Sequence, residues 1–256
     1  MLNLFFYAII IIGDNMNLTY VLIFLAIIPT ILIASLIYRK DIIEKESSSL
    51  LARLFAGGIL SAFLVVIVSS VAILFIPFLG QEITELGYFE MFISIFIGIA
   101  FIEEICKWVI FDFIGWNNKE FNYVYDAIVY MTFIGLGFAT IENISYVAET
   151  GIQTAIVRAI CSVPGHVFFA IHMGYYLGLA KQAKLNKRPD LEKKNKWLSL
   201  IIPTIYHTIF DFCLFAGTES LVVVYFAFVL YLYISSIKKV NQLSKIKLRL
   251  KDGVLI

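Results

Sequence analysis

The sequence predicts an all-α fold, a polytopic membrane helical bundle of about seven transmembrane helices, or eight if the N-terminal segment also inserts. Three observations predict it. Of 256 residues, 61% are hydrophobic and only 15% charged, whereas soluble domains run at about 45–50% apolar and about 25% charged. The apolar residues gather into windows of roughly 20, the length a helix needs to cross the hydrocarbon core. The basic residues collect in alternate connections between those windows, the pattern that orients a chain across a membrane.

In order, the windows are 18–38, 57–79, 91–114, 124–147, 156–180, 197–216 and 219–237. They use nearly all of the chain, so residues 18–237 are expected to form one transmembrane domain, with its chemistry between about 90 and 215. Residues 1–17 form a short segment ahead of it. Their "LNLFFYAIII" is too short to span and lacks the basic start and small-residue cleavage site of a signal peptide. An interfacial position is expected, and Met16 would serve equally well as the start. Residues 238–256 make a basic tail.

The net charge of +1 conceals an asymmetry. Arg39, Lys40, Lys45 and Arg53 follow the first window, seven Lys/Arg fall in 181–196, and six fall between Lys238 and Lys251. "GQEITELGYFE" has three acids and no base. With basic connections on the cytoplasmic side of the cell membrane, the N-terminus lies outside and the C-terminus inside. The tail then reads as orientation and contact with the lipid bilayer; neither nucleic acid nor nucleotide is an expected partner. Cys106, Cys161 and Cys213 are odd in number and lack CxxC spacing, which excludes a disulfide framework or zinc knuckle.

Against this background, "FIEEICKWVI" in the third window stands out. Charges at the centre of a membrane helix cost roughly 2.5–3.5 kcal/mol each, so Glu103, Glu104 and Lys107 together cost on the order of 8–10 kcal/mol. Such residues must face a protein interior or water, and are functional candidates by default. Glu103 and Lys107 are four apart and Glu104 and Lys107 three apart, which brings the ammonium beneath both carboxylates. A buried ion-pair staple between helices is the plainer alternative. The fourth window carries Glu142 and Asn143, the fifth His166, and the sixth His207 and Asp211 on one face. Window direction places all of these in the outer half of the bilayer, where they can converge. His172 lies about 240° round the helix from His166 and reads as structural. Asp112, Asp126 and Arg158 sit near window ends, Asp126 as a candidate cap. Gly135, Gly137, Gly174 and Gly178 would let helices approach closely.

Taken together, these motifs resemble the PrsW family of intramembrane proteases. The carrying residues are "EExxK" (Glu103, Glu104, Lys107); Asp126 with "GFATIEN" (Phe138, Glu142, Asn143); Arg158 with "PGH" and a later glycine (Pro164, Gly165, His166, Gly174); and an "HxxxD" element (His207, Asp211). They cover about residues 90–215 in order. The wider group of CAAX-processing endopeptidases has EExxxR, FxxxH and HxxxN; here Lys107 comes one position early, Glu142 replaces a histidine and Asp211 replaces Asn, which turns the resemblance away from a prenyl-protein substrate.

The resemblance implies an endopeptidase that cuts a single-pass, membrane-anchored protein of the anti-sigma-factor kind near the outer face. Glu103, Glu104, Lys107, Glu142, His166, His207 and Asp211 would form its catalytic set, with Asp126, Phe138, Asn143, Arg158 and Gly174 in support. Two chemistries remain open. In one, Glu103 or Glu104 deprotonates water and His166 or His207 donates to the oxyanion. In the other, Glu142, His166 and His207 hold zinc. Rival classes are a proton- or ion-coupled transporter, which would show repeat symmetry and interrupted helices, and an inactive interaction protein, which would tolerate loss of the glutamates.

Overall fold

The computed structural model describes residues 16–40, 44–150, 157–158 and 160–246. The expected N-terminal segment up to residue 15 and the tail beyond residue 246 lie outside the described residues. Among the described residues there is no strand, and seven long helices stand close to the seven windows. We number them α1 (Met16–Lys40), α2 (Ser48–Phe75), α3, α4 (Asp126–Thr150), α5 (Ser162–Leu185), α6 (Pro189–Ala216) and α7 (Glu219–Leu243). Helix α3 is composite: an α-helical turn pair Tyr88–Ser94, a π-helical stretch Ile95–Phe101 and an α-helix Ile102–Ile114.

Length and composition alone qualify four described helices to cross a membrane: Ser48–Phe75, Asp126–Tyr146, Pro189–Ala216 and Glu219–Leu243. Helices α3 and α5 fall short of that measure. The first is broken by the π stretch and carries the three buried charges, and the second carries two histidines and two lysines.

The helix ends follow local chemistry. Ser47 caps α2, its hydroxyl accepting from Leu50 N at 3.3 Å. Gly217, at φ 61°, ends α6 in the left-handed conformation that glycine adopts without a Cβ clash. Two helices run past their windows. Helix α6 starts at Pro189, eight residues before the expected 197, because Pro suits the first helical position. Helix α7 continues to Leu243, so the start of the expected tail is helical.

Helix α4 is the centre of the bundle. Its apolar window is 78% buried, against 22% for α2 and 17% for α7, whose aliphatic faces point outward as lipid-facing surfaces do. Close crossings make this possible. A Cβ on Gly58 would run into Ile134 O, and one on Gly137 into Phe55 O, so α2 and α4 touch backbone to backbone. Gly174 and Gly178 likewise leave room for the start of α4 at Ala127 and Val124. With lipid as apolar as leucine, this contact is what holds membrane helices together.

Asp126 is the first residue of α4. Its carboxylate reaches backwards and accepts from Asn122 N at 2.9 Å and Tyr123 N at 2.7 Å, which folds the preceding loop. Tyr130 donates to Glu46 at 2.9 Å in the same region, joining α4 to the start of α2. With 1.5 Å of rise per residue, Asp126 lies about 24 Å along α4 from Glu142, so its support is to the fold. His172 is structural, as expected: it bonds Phe168 O at 2.8 Å and Ser235 Oγ at 2.9 Å, docking α7 onto α5.

Candidate functional site

The buried charges of α3 come together with polar groups from α4, α5 and α6. The π stretch immediately precedes Glu103, and Gly98 within it packs on Leu79. Such stretches are rare and concentrate at functional sites. On α6, Pro203 interrupts the helical ladder one turn before His207. Helix α5 enters through "VPGH", with Gly165 against the ring of Phe210.

Glu103, Glu104, Lys107, His166 and His207 are all buried. Lys107 Nζ donates to Glu104 Oε1 at 2.8 Å, lies 3.5 Å from Glu103 Oε2, and rests over the Phe138 ring at 4.0 Å. It also approaches His166 Nδ1 at 3.3 Å. His166 Nε2 meets Glu142 Oε2 at 2.6 Å, and Arg158 pairs with the same oxygen at 2.8 Å while bonding Asn143 Oδ1 at 3.2 Å. His207 Nδ1 meets Glu104 Oε1 at 3.0 Å, and its Nε2 lies 3.4 Å from Asp211 Oδ2 and 3.9 Å from Glu103 Oε2. These partners assign the tautomers: with Lys107 donating to Nδ1 of His166, its Nε2–H donates to Glu142; Nδ1–H of His207 donates to Glu104. Phe169 stacks on His207 with ring centroids 4.7 Å apart.

All seven residues expected to be catalytic therefore meet, and of the five supporting ones Phe138 and Arg158 touch them while Asn143 bonds Arg158. Asp126 and Gly174 do not; they act at the other end of α4. Arg158 is more than a group near a window end, because its guanidinium is an immediate partner of Glu142. Phe169 and the tyrosine under Arg158 (Tyr146, 4.0 Å) had no polar signature in the sequence to reveal them.

A cavity of about 790 Å³ opens on this cluster and is lined by Glu103, Glu142, Arg158, His166, His207 and Asp211. Glu104 and Lys107 stand behind that wall. Gln81 and Glu82 line the cavity too, so it reaches the 76–87 connection at the end of the bundle opposite the basic segments. Glu103 and Glu104 each have one oxygen, Oε2, without a hydrogen bond; they differ in that Glu103 lines the cavity, while Oε1 of Glu104 is held by Lys107 and His207 behind it.

The donors close enough to share a metal are Glu103, His166 and His207, whose ligand atoms lie within 4.8 Å of one another. Glu103 takes the place that the sequence suggested for Glu142, because Arg158 and His166 already engage the Glu142 carboxylate. A Glu with two His suits zinc, Glu103 Oε2 makes no hydrogen bond, and His207 is held through Nδ1 by the Glu104 carboxylate, as ligating histidines commonly are.

Fold and site together define a multi-pass helical membrane protein with a buried acid–histidine centre. The family model "PrsW family intramembrane metalloprotease" matches residues 46–235. The chain is 37% identical to Protease PrsW of Oceanobacillus iheyensis over 216 residues, covering 84% of this chain and 93% of the relative. It is 34% identical to Protease PrsW of Geobacillus kaustophilus (84% and 88% covered) and 32% identical to that of Clostridioides difficile (85% and 89% covered). The chain belongs to the PrsW family of intramembrane proteases. No solved structure matches it.

Proposed function

We propose that the Glu103–His166–His207 centre hydrolyses a peptide bond of a membrane-anchored, single-pass protein, cut near the outer face of the cell membrane. The observation that carries this is the convergence of the three buried donors Glu103, His166 and His207 on one cavity that all three line. An anti-sigma-factor-like substrate is the class the family resemblance supports. The cavity's position opposite the basic connections supports an outward-facing site, with the N-terminus outside and the C-terminus cytoplasmic.

Each side chain has a task. Glu103 holds the attacking water and takes its proton. His207, oriented through Nδ1 by Glu104, presents Nε2 to the cavity beside Asp211. His166 is fixed between Lys107 and Glu142, and the developing oxyanion is met by Nε2–H of His207 when that ring is protonated. Glu104 and Lys107 are positioning residues, Lys107 balancing the charge of the paired carboxylates. Arg158 holds Glu142 in place. Where zinc is bound, Glu103, His166 and His207 hold it, and it supplies Lewis-acid polarisation and a more acidic water. A metal-free reading is favoured by a separate observation: the Lys107 ammonium, within 3.3 Å of His166 and 3.5 Å of Glu103, already supplies a positive charge at the centre.

The test is co-expression of a tagged single-pass substrate with wild type, Glu103→Gln and His207→Ala. Both variants should lose about 10²-fold or more of the cleaved fragment while folding normally; full cleavage by both would sink the assignment. Stoichiometric zinc in purified protein, with activity lost to chelator and restored by zinc, decides for the metal reading. Activity that is unchanged after complete metal removal decides against it.

A further inference from the structure

A second feature lies at the opposite end of the bundle, on the outer face of the helix that carries Glu104 and Lys107. A groove of about 530 Å³ runs between α3 and the start of α6, floored by Ile105, Trp108 and Leu200 and flanked by Lys193, Lys196 and Trp197. Trp108 Nε1 donates to Ser199 Oγ at 3.1 Å, so its ring is fixed as part of the floor. Trp197 stands beside the groove and is 57% exposed.

Positive charge is concentrated at one end of it. Lys181, Lys184 and Lys196 place their ammonium groups 5.1, 5.3 and 4.2 Å from the centroid of the single Trp116 ring. Lys196 belongs to both this cluster and the groove, where Lys193 adds a fourth charge. Glu192, paired with Lys196 at 3.1 Å, is the acid of the groove lining. The groove lining carries Lys193 and Lys196 against the one carboxylate of Glu192, and Lys184 adds a positive charge at Trp116.

We propose that this groove binds an anionic phospholipid, its acyl chain along Ile105, Trp108 and Leu200 and its phosphate among Lys193, Lys196 and Lys184. The combination of an apolar floor between two bundle helices with a basic rim matches an amphiphile with a negative head. A soluble phosphate has no use for the floor, and an acidic protein segment would bury its own charge against apolar side chains. The site is independent of the catalytic centre, since none of its residues lines the cavity.

The chain's three tryptophans are Trp108, Trp116 and Trp197, so tryptophan emission, excited selectively over the 14 tyrosines, reports on this corner alone. The full-length protein is reconstituted in phosphatidylcholine bilayers doped at equal mole fraction with either brominated phosphatidylglycerol or brominated phosphatidylcholine. The expected result is stronger quenching by the anionic lipid, with the preference falling roughly fivefold for each charge removed in Lys193→Gln and Lys196→Gln. Equal quenching by the two lipids in wild type overturns the proposal without any reference to a variant. So does a preference abolished by millimolar inorganic phosphate or by a soluble polyglutamate peptide at high salt, which would place a water-soluble anion in the groove instead.

Discussion

The two ends of the bundle both gather charge, and they handle it in opposite ways. At the cavity, Glu103, Glu104 and Lys107 are buried, and three charged groups reach partners on other elements: Glu104 to His207, Lys107 to His166, Arg158 to Glu142. At the other end, Lys184 and Lys193 are exposed and Lys181 and Lys196 half-buried, three of them over the Trp116 ring, and Lys196 pairs with Glu192 one turn away on its own helix. Buried charges in low dielectric are worth much to one another and costly when orphaned. Exposed ones are screened and nearly interchangeable. The first arrangement fixes geometry at the scale chemistry requires; the second sets orientation and surface affinity.

The sharpest break of this comparison is Lys107→Met. It keeps the volume and leaves two buried carboxylates without their ammonium, so unfolding in detergent micelles should show a loss of about 3–5 kcal/mol. A smaller loss, matching that of a surface lysine, would mean that water reaches the wall behind the cavity and the two ends are alike. Glu142→Gln comes next. It retains the shape while weakening what holds His166 and Arg158, and cleavage of the tagged substrate should fall about 10–100-fold, as with other partners that orient site histidines, while the melting temperature moves little. Smallest is Lys196→Gln: stability in the same micelles should change by less than about 1 kcal/mol, the range of an exposed ion pair. A larger drop would show that the stack on Trp116 is structural, and would erase the contrast.

Much of the site was legible beforehand because membrane insertion makes buried charge expensive, so each retained Glu, Lys or His announced itself. Helical spacing put Glu103 and Glu104 beside Lys107, and the direction of the windows put His166 and His207 at a common depth. What spacing along one helix cannot report is which neighbour from another helix arrives first. Glu142, not Glu103, was the expected ligand beside the two histidines, and Arg158, from beyond the described end of α4, stands on its carboxylate. The glycine crossings were half legible: Gly135, Gly137, Gly174 and Gly178 were expected to pack closely, but Gly58, their counterpart on α2, sits in an unbroken apolar run without any mark.

By itself, then, the sequence determined the class of protein, the number and rough limits of the helices, the membership of the polar centre and the family, since these follow from composition, hydropathy and short motifs. Tertiary structure decided the division of labour within the centre: Glu103 at the cavity wall, Glu104 behind it with Lys107 and His207, Glu142 tied to Arg158, and Asp126 at the far end folding a loop. It also decided that three tryptophans distant in sequence share one basic corner. Hydropathy is a sum over neighbours along the chain, whereas burial, pairing and cavity exposure depend on which helix faces which.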